Sequence, residues 1–167
     1  MEWFGGVVTA TGSSTVRPAS PTWSRTLPCG ELWSMGAGPG PATTIVGSGP
    51  LSGAVLGSHT VTTDCLRTWL SKDWRLGPPA WPGTYAVVVA HPQGVTVFSD
   101  PAHALPLYFC QVEGAVLWAS SCRALSSAIG TEVDLSWVAS LLAYPAGWRG
   151  TRRSAFRRVR TIHRGTA

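Results

Sequence analysis

Lysine occurs once in this 167-residue chain, and no acidic residue follows Asp134. Charged residues make up 13% of the sequence against 44% apolar, the reverse of the mixture that keeps a chain disordered. No apolar run reaches the ~18 residues that a membrane-crossing helix needs, so no span is expected. The cysteines at 29, 65, 110 and 122 show no Cys-x-x-Cys spacing. Neither a zinc site nor a disulfide framework is indicated, and small buried thiols are expected. His59, His91, His103 and His163 likewise lack metal-ligand spacing. The opening Met1-Glu2-Trp3 places an acid where a signal peptide carries lysines, and a cytoplasmic location is expected.

What charge there is lies unevenly. Seven of the twelve arginines (149, 152, 153, 157, 158, 160 and 164) fall in the last nineteen residues, while the preceding 148 hold six basic and eight acidic side chains, a net of −2. The length suits one domain with a substantial core.

"MEWFGGVVTA" reads as a first strand whose Gly5–Gly6 pair permits close backbone approach. Residues 11–30, rich in Ser, Thr and Pro, read as a surface loop. "ELWSMG" and "TTIVGSG" are short strand candidates, and "VGSGPLSG", lacking the Lys-Ser/Thr of a phosphate loop, reads as a turn. A helix is expected in "VTTDCLRTWLSKDW" behind Thr63 as N-cap. Four further strands follow in "GTYAVVVAH", "GVTVFSD", "LPLYFCQV" and "AVLWASS". The first of these is apolar on both faces, so these strands should be covered by a sheet on one side and helices on the other. Tyr85, Val87, Val89, Tyr108 and Trp118 are assigned to a two-sheet core. "SCRALSSAIG" predicts a helix ended by Gly130. "VDLSWVASLLAY" predicts one capped by Asp134 that buries Leu135, Val138, Leu141 and Leu142.

From Trp81 onward these elements resemble the second half of the class II glutamine amidotransferase domain of asparagine synthetase-like proteins. Gly83, Tyr85 and Ala86 match that family's Gly-aromatic-Ala strand. Asp100, Pro106, Leu107 and Tyr108 match its Asp loop and Pro-Leu-Tyr, and Ala119 and Ser120 match its Ala-Ser turn. "SAFRRVRTIHRG" resembles the family's Phe-x-x-Val-x-x-Ile link to the synthetase domain. The resemblance covers about residues 81–165. It implies an α+β fold, a four-layer α/β/β/α sandwich of two antiparallel sheets of the N-terminal-nucleophile type. It also implies a division into an amidotransferase-like domain, 1–147, and a basic linker, 148–167.

Active members of that family expose an N-terminal cysteine, whose thiolate attacks the glutamine amide with its own α-amine as base. Here Glu2 follows Met1, and glutaminase activity is not expected. The other parts of the glutamine site are eroded too. Pro82 stands where the family has an acid, Ser99 where it has arginine and Ser121 where it has glutamate. No Asn-Gly-Glu segment is present, and Arg25 is the remaining candidate for the substrate carboxylate. Catalytic residues are therefore none. The pattern resembles the lasso-peptide cyclases, relatives that use ATP to activate a carboxylate and then close an amide. ATP and magnesium would belong to a synthetase domain, which these 167 residues do not contain.

The expected partner is that synthetase domain, in cis or in trans, with a precursor peptide as a further candidate. Phe156, Val159 and Ile162 are the docking candidates, and the arginines around them should leave the segment poorly ordered alone. Two other readings stand beside this one. A stand-alone protein- or peptide-interaction module needs no synthetase. A basic nucleic-acid-binding protein would use the arginines on phosphates but is disfavoured by the net −2 of the first 148 residues. A Ser-His-Asp set assembled from Ser52, His103 and Asp100 lacks the Gly-x-Ser-x-Gly elbow.

Overall fold

The computed structural model describes residues 3–9, 21, 23–27, 29–35, 43–47, 50–72, 74–144 and 153–162. Expectations for Met1, Glu2, residues 11–20, Arg149, Arg152, His163 and Arg164 lie outside the described residues. In chain order the strands are β1 (Trp3–Thr9), β2 (Trp23–Leu27), β3 (Gly30–Met35), β4 (Thr43–Val46), β5 (Ser52–His59), β6 (Gly83–His91), β7 (Gly94–Ser99), β8 (Tyr108–Val112), β9 (Ala115–Ala119) and β10 (Arg160–Thr161). The helices are α1 (Thr63–Leu70), α2 (Cys122–Ile129) and α3 (Leu135–Ala143). One sheet runs β10-β8-β9-β1-β3-β2 and the other β4-β5-β6-β7. The ladders of both are antiparallel. The fold is α+β with two antiparallel sheets.

Strand β6 shows why the layers stack. Side chains alternate across a strand, and both faces of "GTYAVVVAH" are apolar. Tyr85, Val87 and Val89 turn outward onto Leu66, Trp69 and Leu70 of α1 and the nearby Trp74. Ala86 and Val88 turn inward with Ala54 and Leu56, against Phe4, Leu32 and Trp118 of the other sheet. On the far side of that sheet Val7, Trp33, Cys110, Leu117 and Ala119 pack with Leu125 of α2. The expected coverage of β6, sheet on one side and helix on the other, is what the chain builds. The single two-sheet core is corrected: of the five residues assigned to it, only Trp118 lies between the sheets. Ala86 and Val88 face the opposite sheet, whereas Tyr85, Val87 and Val89 fill the space beneath α1.

Four further expectations change. Residues 23–27 form β2, an edge strand on β3, although its Ser24, Arg25 and Thr26 are exposed; its pairing comes from backbone, which composition does not record. The α1 N-cap is Thr62, whose hydroxyl accepts from Cys65 N at 3.3 Å, one residue before the expected Thr63. Helix α3 is capped by Asp134 as expected, but none of its residues is buried. Only Cys110 among the cysteines is buried, and Cys65 is exposed. No helix among the described residues is long and apolar enough to cross a membrane.

Candidate functional site

Residues matched to the family landmarks lie on β6, on the loop from Ser99 to Leu107, and at the junction of β9 with α2. Gly83 opens β6 at φ +132°, and a Cβ there would sit 2.2 Å from the Ser58 carbonyl oxygen of β5. Only glycine fits so close an approach. Tyr85, fully buried, donates its hydroxyl to Pro79 O at 3.0 Å and accepts from Trp81 N at 3.2 Å. It thereby pins the proline-rich segment between α1 and β6. Burial pushes its phenol up, the Trp81 amide opposes that, and the charge of Asp100 adds to the rise.

Asp100 is 1% exposed. Its backbone N–H donates to Tyr85 O at 2.9 Å. Its carboxylate oxygens accept from Ala104 N and Leu105 N, each at 3.1 Å. A buried carboxylate needs such donors, and here two loop amides supply them. Pro106 is exposed while Leu107 is buried between the sheets beside Phe4 and Trp118. Tyr108 sits at the start of β8, packed against the α2 side of its sheet with Cys122. Burial, followed by the neighbouring Cys122 thiol, holds its phenol above the usual range.

Ser120 binds the first strand. Its hydroxyl accepts from Phe4 N at 3.1 Å and reaches Phe4 O at 3.3 Å, while Ser120 N donates to Phe4 O at 2.9 Å. The next residue, Ser121, caps α2 by accepting from Ala124 N at 3.2 Å. Arg25 lies exposed on β2. Asp100 and Ser120 are therefore held on different parts of the domain, each by main-chain partners.

The other constellations resolve plainly. Ser52 starts β5 opposite Ala90, whereas His103 Nδ1 lies 2.7 Å from Ser99 Oγ, so no Ser52–His103–Asp100 set forms. The Ser99–His103 contact has no counterpart in the sequence reading, because His103 reaches back only by adopting φ +51°. His91 contacts Gln93 and Thr96. Among the described residues no group of three His, Cys, Asp or Glu could hold a metal ion.

Phe156, Val159 and Ile162 are engaged within the domain. Val159 is 2% exposed in the cluster on the α2 side, against which Phe156 also packs. Ile162 packs between the sheets, and its N–H donates to Leu107 O at 2.8 Å. Ser154, missed by sequence reading, organises the turn: its hydroxyl donates to Val159 O at 2.8 Å and accepts from Phe156 N at 3.2 Å. A Ser two residues before an apolar anchor is the only signal for it. Residues 153–162, expected to be poorly ordered and free for a partner, thus add a strand to the first sheet. The apolar spacing that suggested an external anchor serves the domain's own core.

Asp134 accepts from Arg153 Nη2 at 2.5 Å and from Trp137 N at 3.1 Å. The hydrogen bond from Arg153, then that from Trp137, holds its carboxyl below the usual range despite some desolvation. A depressed pKa stabilises the fold above the unfolded carboxyl pKa of about 4, and the contribution is lost as pH falls through the folded value. Protection factors of the α3 amides, with the intrinsic pH dependence of exchange divided out, should therefore fall on acidification below about pH 4, and Asp134→Asn should flatten that dependence. Unchanged acid sensitivity in Asp134→Asn would assign it to other carboxylates.

No family model matches the chain, and comparison with curated proteins gives no significant match.

Proposed function

We propose that the chain is a catalytically silent amidotransferase-like domain of an asparagine synthetase-related enzyme that forms amides with ATP, of the kind that closes lasso peptides. The finer fold that this reading assigns is the four-layer N-terminal-nucleophile sandwich. One observation carries it: residues standing at the family's landmarks serve as structural ties. Asp100 takes one loop amide on each carboxylate oxygen, Ser120 clasps Phe4, and Ser121, in the place of the family's glutamate, caps a helix. A site of this composition supplies no preorganised charge for glutamine or for an oxyanion. The synthetase domain, in cis or in trans, is the partner, and ATP and magnesium are its ligands; no residue of this chain is assigned to them. An interaction module without a synthetase is the second reading, favoured by the solvent-facing apolar residues of α3. Nucleic acid is the least favoured, because Arg153 and Arg157 already pair with Asp134 and Glu132.

The purified chain should release no ammonia from glutamine above a blank without protein. Release that survives repurification would overturn the silent assignment. The genomic frame continuing from, or adjacent to, codon 167 should encode a Ser-Gly-Gly-x-Asp-Ser phosphate loop. A locus without one would overturn the family assignment.

A further inference from the structure

We propose that α3 and the arginine segment beside it form one docking face for a protein partner whose apolar stripe is rimmed by carboxylates. This inference stands on exposure and charge and does not require the amidotransferase reading. Helix α3 is rich in apolar residues, yet Leu135 is 72% and Leu142 79% exposed, with Tyr144 at 73% just beyond its end. Leu135 and Leu142 are seven residues apart, which places them two turns apart on one face. A nine-residue helix is marginal by itself. This one is held at its head by the Asp134 cap, the Arg153 ion pair and the Asp134 N–H to Ala155 O bond at 2.8 Å. The helix is fixed in place while Leu135 and Leu142 point to solvent.

The chemistry of the covering surface follows from the neighbours. Arg153 is ion-paired to the head of α3, and Arg160 lies opposite Arg153 in an antiparallel bridge. Arg160 is exposed and has no carboxylate partner among the described residues. An apolar stripe beside unpaired positive charge is complementary to an apolar stripe beside carboxylates. A second copy of this chain would offer arginine in return.

The probe is a synthetic amphipathic helix with a leucine stripe flanked by glutamates, compared with the same helix carrying lysines, with phosphatidylglycerol vesicles, and with self-association in sedimentation. Saturable binding to the glutamate helix is expected, weakened about tenfold or more in Leu135→Ser/Leu142→Ser and also weakened in Arg160→Glu. The double variant should melt like the wild type, since both leucines face solvent. No binding to the glutamate helix, equal binding to the lysine helix, binding only to vesicles, or self-association lost in the double variant would each overturn the proposal. So would a lowered melting temperature, which would show the leucines packed within the domain.

Discussion

Val87→Asp should leave no folded domain. Val87 is fully buried at the middle of β6, with Val55 opposite it on β5 and Phe98 on β7. Its side chain is enclosed by Val55, Leu66, Trp69 and Val89, an apolar set with no group to pair a carboxylate. Burying a charge there costs several kcal/mol, against a total stability of about 5–15 kcal/mol for an ordinary domain. The strand cannot rotate the residue away, because a one-residue slip would turn the whole β6 pattern to the other face. Aggregation, or loss of the cooperative melting transition, is the expected result. A soluble variant that melts like the parent would refute the packing of β6 beneath α1.

Val159→Asp is expected to weaken the domain markedly without abolishing its fold, an effect that a linker residue would not have. Val159 is 2% exposed among Val7, Leu117 and Leu125. Ser154 holds its carbonyl at 2.8 Å, and the following β10 pairs with β8 through Arg160 and Thr161. A carboxylate at this point is buried without a partner and detaches β10 from the sheet edge. We expect a loss of about 3 kcal/mol, seen as a lower melting temperature with the transition still cooperative. Phe156→Ser, at a half-buried position, should cost less. If Val159→Asp melts like wild type, residues 153–162 act as a linker after all.

Much of the second half of the chain was legible because its elements are punctuated. Strands β6 to β9 are apolar runs separated by short turn signals, and Gly130, at φ +62°, ends α2 where the sequence places it. Strand β5 was not legible. Its Gly53 read as turn chemistry, yet a Cβ there would lie 2.7 Å from Leu70 Cδ1. That glycine permits α1 to lie against the sheet, a tertiary reason invisible to local pattern. Helix α3 failed in the opposite sense. Its cap and periodicity are strong, but periodicity says only that one face is apolar, not that the domain covers it. The tail failed because its arginines dominated the reading, while the residues that fix it are Ser154, Val159 and Ile162. At the candidate site, the positions of Asp100 and Ser120 were legible as landmarks. Their use as main-chain ties was not, since carboxylates and hydroxyls serve binding or support according to what reaches them.

The division of strands between the sheets has a consequence for synthesis. The second sheet is a run of neighbours, β4 to β7, drawn from residues 43–99, whereas the first joins β1 to β9 and closes on β10 at residues 160–161. Pairing β1 with β9 closes a loop of more than a hundred residues, and such distant contacts form late. The second sheet and α1 can assemble while the chain is still emerging, but β1 must wait beside an unfilled position. Its outer face, at Val7, then depends on Leu117, Leu125 and Val159, from the last third of the chain, for cover. Pulse-labelled hydrogen exchange during refolding should protect β5 and β6 before β1 and β9; simultaneous protection would mean that the two sheets condense as one unit.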